Sequence, residues 1–184
     1  EWNSAKKDFQ MAIDLIKSEK LEISYEQIEF IIKSIELNLT QLEILSIKEN
    51  QISYLPEFIT NLKQLTELYL CKNKLVELPE SIENLENLEI LHLHNNQILK
   101  LPESIGNLTS LKILHLDNNQ LRKLPGSIGN LTNLRELSLQ DNKITQLPES
   151  IRNLENLEKS SIKNLKHLYK SIQQRQHIFD LFDD

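Results

Sequence analysis

Cysteine is almost missing from this 184-residue chain: Cys71 is the single thiol, so no disulfide can form within it. A disulfide-stapled scaffold is excluded, and a single cysteine leans towards a reducing compartment or a bacterial source. The cytoplasm is the expected location. Secretion is left open, because the chain starts at Glu1 without a methionine and a leader segment could have been removed. Glycine is as scarce, with Gly106, Gly126 and Gly129 making up the full set, and no phosphate-cradling glycine loop exists. Aromatic residues are 5% of the chain and the net charge is −6. No basic stripe interleaved with aromatics is present, so nucleic acid is not an expected partner. No apolar run reaches the ~18 residues that suggest a membrane span. The G-x-S-x-G and H-E-x-x-H signatures are missing too, and no enzyme activity or cofactor is expected.

Proline is also sparse, but its five positions are not scattered. Pro56, Pro79, Pro102, Pro125 and Pro148 fall 23 residues apart. Around them a whole pattern recurs in the same frame. The copy Leu111-Lys112-Ile113-Leu114-His115-Leu116-Asp117-Asn118-Asn119-Gln120-Leu121, followed by Arg122-Lys123-Leu124-Pro125, is one of five running from Leu42 to Asn156 without insertion. The first half of each copy alternates, with Leu91 and Leu93 flanking His92, and Leu114 and Leu116 flanking His115. Period-two alternation describes a short strand with one face buried. The second half, such as Leu101 to Leu108, spaces its apolar residues more widely. It also holds a proline, which bars both a central strand and a helix interior. That half is an irregular or single-turn helical return path. Equivalent strands then lie parallel and side by side, and the wider return path makes the stack curve with its strands on the inside. One slot per copy is asparagine (Asn50, Asn73, Asn96, Asn119 and Asn142). An amide carries two donors and an acceptor, enough to tie down buried backbone at a corner.

The period and the pattern L-x-x-L-x-L-x-x-N-x-L resemble the leucine-rich repeat family. The return path Leu-Pro-x-x-Ile-x-Asn-Leu is similar to that of intracellular Ras-type repeat scaffolds and of bacterial, including spirochaetal, repeat proteins. The resemblance implies an α/β solenoid, a curved horseshoe with a parallel concave sheet, an irregular or 3-10 convex side and helical caps. The expected organisation is an N-terminal helical cap with a degenerate half-repeat over 1–41, five repeats over 42–156, and a capping helix with an acidic tail over 157–184. In the first segment Trp2, Ala5, Phe9, Ala12, Ile13 and Ile16 share a helical face, and Ser24 with Gln27 forms a helix-start box. In the last, Ile162, Leu165, Leu168, Tyr169 and Ile172 have helical spacing, predicting a helix from about Glu158 to Gln176. Asn38, Asn107 and Asn130 match the glycosylation sequon, but all three occupy the repeat's own Asn-Leu slot.

Alternation also sorts the outward positions into rows. Ser46, Tyr69, His92, His115 and Ser138 form one. Lys48, Cys71, His94, Asp117 and Gln140 form the next, and Ile44, Glu67, Ile90, Ile113 and Glu136 a third. The resemblance implies that this surface binds a protein partner; the chain itself is expected to be a monomer. Tyr69, Ile90, His92, His94, Ile113, His115 and Asp117 are the candidate contact residues, because apolar and aromatic side chains amid polar ones suit an interface. An alternative use of the same place is metal binding or pH-gated binding by a square of His92, His94, His115 and Asp117. A thiol–imidazole pair of Cys71 with His94 is geometrically allowed, with a bystander thiol the simpler reading.

Overall fold

The computed structural model describes residues 42–176. Five strands, β1 (Ile44–Ser46), β2 (Glu67–Tyr69), β3 (Ile90–His92), β4 (Ile113–His115) and β5 (Glu136–Ser138), form one parallel sheet in sequence order. Each residue pairs with the residue 23 positions later: Leu68 with Leu91, Leu91 with Leu114, His92 with His115. After each strand the chain returns through a five-residue 3-10 turn: Glu57–Asn61, Glu80–Asn84, Glu103–Asn107, Gly126–Asn130 and Glu149–Asn153. Every one of these turns starts directly after a repeat proline, whose fixed φ and missing N–H suit that position. The product is the curved solenoid expected, with the sheet inside and the 3-10 turns outside.

The core is one continuous leucine–isoleucine column. All seven apolar slots of the middle copy, Leu88, Leu91, Leu93, Ile98, Leu101, Ile105 and Leu108, are buried. No copy could bury these faces alone, so each repeat is stable only through its neighbours. The asparagine slot forms the expected ladder. Asn96 donates from Nδ2 to the carbonyls of Leu70 (3.0 Å) and Leu93 (2.9 Å), and its Oδ1 accepts from the Leu75 N–H at 3.0 Å. Asn119 and Asn142 repeat the same three contacts one and two copies on. The ladder is buried in its middle rungs and weaker at its ends. Asn50 and Asn142 are only half-buried, and the buried Oδ1 of Asn73 has no partner.

The residue before each ladder asparagine adopts a positive φ of 53–58°: Glu49, Lys72, Asn95, Asn118 and Asp141. This left-handed turn bends the chain out of the strand. Asn and Asp tolerate it better than Glu and Lys.

Helix α1 (Lys159–Gln176) closes the C-terminal end, starting one residue from the expected position. Among the described residues no sixth strand pairs with β5. The Leu137 N–H donates instead to the Ser161 hydroxyl (3.1 Å), and the Glu158 N–H donates to the Arg135 carbonyl (2.8 Å). Ser161, Leu165 and Tyr169 are buried against this end, while Leu168 is half-buried. Ile162, which shares the helical spacing of Leu165 and Tyr169, is 38% exposed. Ser161 takes the inward place because an unpaired backbone donor there needs an acceptor that isoleucine lacks. The expected cap over 1–41, with Trp2, Phe9 and the Ser24 box, and the tail beyond Gln176 lie outside the described residues. Among the described residues no helix is long and apolar enough to cross a membrane.

Candidate functional site

The sheet's register builds the candidate site. Because alternate residues of a strand face one side, Ile90 and His92 point out of the core between the buried Leu91 and Leu93. Ile113 and His115 do the same one strand over. The parallel pairing then sets Tyr69, His92 and His115 in one row and Ile90 beside Ile113 in another. All of these side chains are half-buried.

The row is a continuous ring system. The His92 and His115 rings stack with centroids 4.4 Å apart and an interplanar angle of 18°. Tyr69 meets His92 edge-on at 4.9 Å and 87°. Lys48 Nζ sits 4.5 Å from the Tyr69 ring centroid, within cation–π range. The Tyr69 hydroxyl donates to Glu67 Oε2 at 2.6 Å. That hydrogen bond, with burial and the charge of Glu67, pushes the phenol up to about 12. At the other end His115 Nε2 lies 3.3 Å from Glu136 Oε2.

His94 adds a third imidazole, with its ring 5.6 Å from His92 and 6.2 Å from His115. Its Nδ1 is buried and meets no hydrogen-bond partner. Asp117 does not complete the expected square. It lies in the His94 row, and its carboxylate accepts from the Asn118 amide at 3.2 Å rather than joining the three imidazoles. Cys71 stands in the same row but is buried at 4% exposure, and burial pushes its thiol up. A protonated, covered thiol is a poor nucleophile.

Burial, then the neighbouring His115 and His94 and the cation of Lys48, hold His92 down to about 4, with Glu136 pulling the other way. His94 is lowered chiefly by burial, against the pull of Asp117. An imidazole with a folded value below its unfolded 6.5 takes up a proton more readily when the chain is unfolded. Its contribution to stability is therefore complete above pH 6.5 and is lost as pH falls towards 4. The expected results are a His92 ring-proton NMR titration with its midpoint near 4, and a smaller loss of stability between pH 6.5 and 4.5 in His92→Gln than in the parent. A midpoint at 6.5 or above contradicts this.

Two features, one at the corner and one on β2, escaped sequence reasoning. The left-handed slot was signalled by Asn95-Asn96, Asn118-Asn119 and Asp141-Asn142, pairs of residues suited to tight corners. The Tyr69–Glu67 bond was signalled by two polar residues two apart on one strand face.

A model of the leucine-rich repeat region matches residues 68–177. The chain belongs to the leucine-rich repeat family. Among curated proteins no sequence matches it. Solved repeat proteins do. The repeat ectodomain of the Arabidopsis thaliana membrane receptor kinase GASSHO1/SCHENGEN3, in complex with CASPARIAN STRIP INTEGRITY FACTOR 2, is 34% identical with a TM-score of 0.60, over 67% of this chain and 16% of that one. An internalin from Listeria monocytogenes is 32% identical with a TM-score of 0.58, over 68% of this chain and 36% of that one. A leucine-rich repeat protein of Leptospira interrogans is 33% identical with a TM-score of 0.50, over 67% and 37%. This leucine-rich repeat chain thus spans between 16% and 37% of the length of these solved proteins, which come from a plant and from bacteria alike.

Proposed function

We propose that the chain is a non-enzymatic recognition module that holds a protein partner against its concave sheet. The observation that carries this reading is the contiguous, half-buried surface of Tyr69, Ile90, His92, His94, Ile113, His115 and Asp117, set side by side on a rigid parallel scaffold. Rings already in contact with one another, as Tyr69, His92 and His115 are, lose little conformational freedom when a partner arrives. The Arabidopsis ectodomain, solved with a factor bound, supports the same use of the fold. The buried thiol of Cys71 and its raised pKa favour binding over covalent catalysis.

The double substitution Tyr69→Ala with His115→Ala is expected to reduce partner capture by roughly a thousandfold, since two central ring contacts at ~2 kcal/mol each sum to ~4 kcal/mol. The melting temperature should move by only a few degrees, because both side chains lie outside the leucine column. Pull-down with mass spectrometry, followed by calorimetry on the captured protein, reads both arms. Capture that survives the double substitution and is lost on replacing Lys163 and Lys166 of α1 would move the site to the helix.

A further inference from the structure

We propose that His92, His94 and His115, brought together by strands β3 and β4, form a binding site for a divalent transition-metal ion, with zinc the best match. Each residue offers one ring nitrogen, and the three nitrogens lie within 4.8 Å of one another. A tetrahedral zinc with Zn–N bonds of ~2.0–2.1 Å needs them about 3.3 Å apart. Closing that gap calls for side-chain rotation, since the strands already hold the three residues on one face. His92 and His94 share a strand face by alternation, and His115 is registered against His92. The cost of assembling ligands from distant parts of a chain has already been met in folding.

Two further observations point to an ion. The buried Nδ1 of His94 meets no protein donor or acceptor, although buried polar atoms are almost always satisfied. Glu136 Oε2 lies 3.3 Å from His115 Nε2, the arrangement in which a carboxylate holds one imidazole nitrogen and orients the other as a ligand. The donor set selects the ion. Three neutral imidazoles suit zinc, copper or nickel, whereas calcium and magnesium demand oxygen. Asp117 is not among the ligand atoms that lie within 4.8 Å of one another, so the fourth position is left for water or for a donor on an arriving molecule. The site does not depend on partner capture, and titration of the protein alone reads it separately.

The test is calorimetric titration of the chelator-stripped full chain with zinc chloride. Uptake of one equivalent is expected, weakened at least tenfold by each of His92→Gln, His94→Gln and His115→Gln, and at least several-fold by Glu136→Gln. His167→Gln, on α1, should leave it unchanged. Cobalt chloride provides a check on the unsubstituted protein. It should give the intense visible bands of a four-coordinate ion, and it should broaden the ring resonances of His92, His94 and His115 but not that of His167. No saturable uptake, uptake that persists in the three imidazole variants, or broadening confined to His167 would overturn the proposal.

Discussion

Asn96→Ala is expected to destabilise the protein by about 2–4 kcal/mol, well beyond what an ordinary surface change costs. The Asn96 amide does three things at once, but they are not of equal weight. The carbonyls of Leu70 and Leu93 each accept from two ladder residues. Leu70 is shared by Asn73 and Asn96, and Leu93 by Asn96 and Asn119. Both therefore keep one donor after the substitution. The Leu75 N–H does not, because Asn96 Oδ1 is the one acceptor the structure gives it. The main penalty is that single buried donor, with a small cavity added to it. Asn73 makes the comparison decisive. Its Nδ2 bonds the carbonyls of Ile47 and Leu70, but its Oδ1 bonds nothing. Asn73→Ala thus orphans no N–H and should cost about half as much. Urea denaturation followed by circular dichroism measures both. Equal midpoint shifts would mean that the slot is filled for its shape and not for its hydrogen bonds.

Gly106→Ala should cost about 2–3 kcal/mol, whereas Gly126→Ala should be neutral or stabilise by up to ~1 kcal/mol. Neither glycine has a positive φ, so backbone freedom is not the issue. A Cβ at Gly106 would stand 2.4 Å from the Ser127 carbonyl oxygen and 2.5 Å from the Ser127 Cβ of the next 3-10 turn. A backbone atom cannot rotate aside, so the two turns must separate. The separation would stretch the Ser127 hydroxyl's 2.6 Å bond to the Glu103 carbonyl. At Gly126 nothing lies within 4 Å, and the added methyl merely restricts the unfolded chain. Thermal unfolding of the two variants side by side would contradict this argument if their midpoints moved together.

Much of the fold was legible because a single period carries it. Five prolines in one frame fix where each return path starts, and alternation about Leu91 and Leu114 fixes which side chains face outward. A slip of one residue would have put the leucines in solvent. The same alternation placed Tyr69, His92 and His115 in one row. Its reach ended where side-chain torsion or the neighbouring copy decides. Asp117 is in the expected row, but its carboxylate turns to Asn118. Cys71 is in an outward row yet covered. Ile162 has the spacing of a buried residue, but backbone demand at the last strand gives the inward place to Ser161. The reason for glycine at 106 and 129 lies in a distance between stacked turns, and no periodicity encodes that distance.

The Ser161 hydroxyl has a consequence for assembly. A parallel sheet whose last strand still offered its amides would be a template on which another molecule's first strand could continue the same pitch, copy after copy, into a fibre. One side-chain oxygen on a helix laid across that strand occupies the Leu137 amide, so head-to-tail polymerisation at this end would first require peeling the helix away.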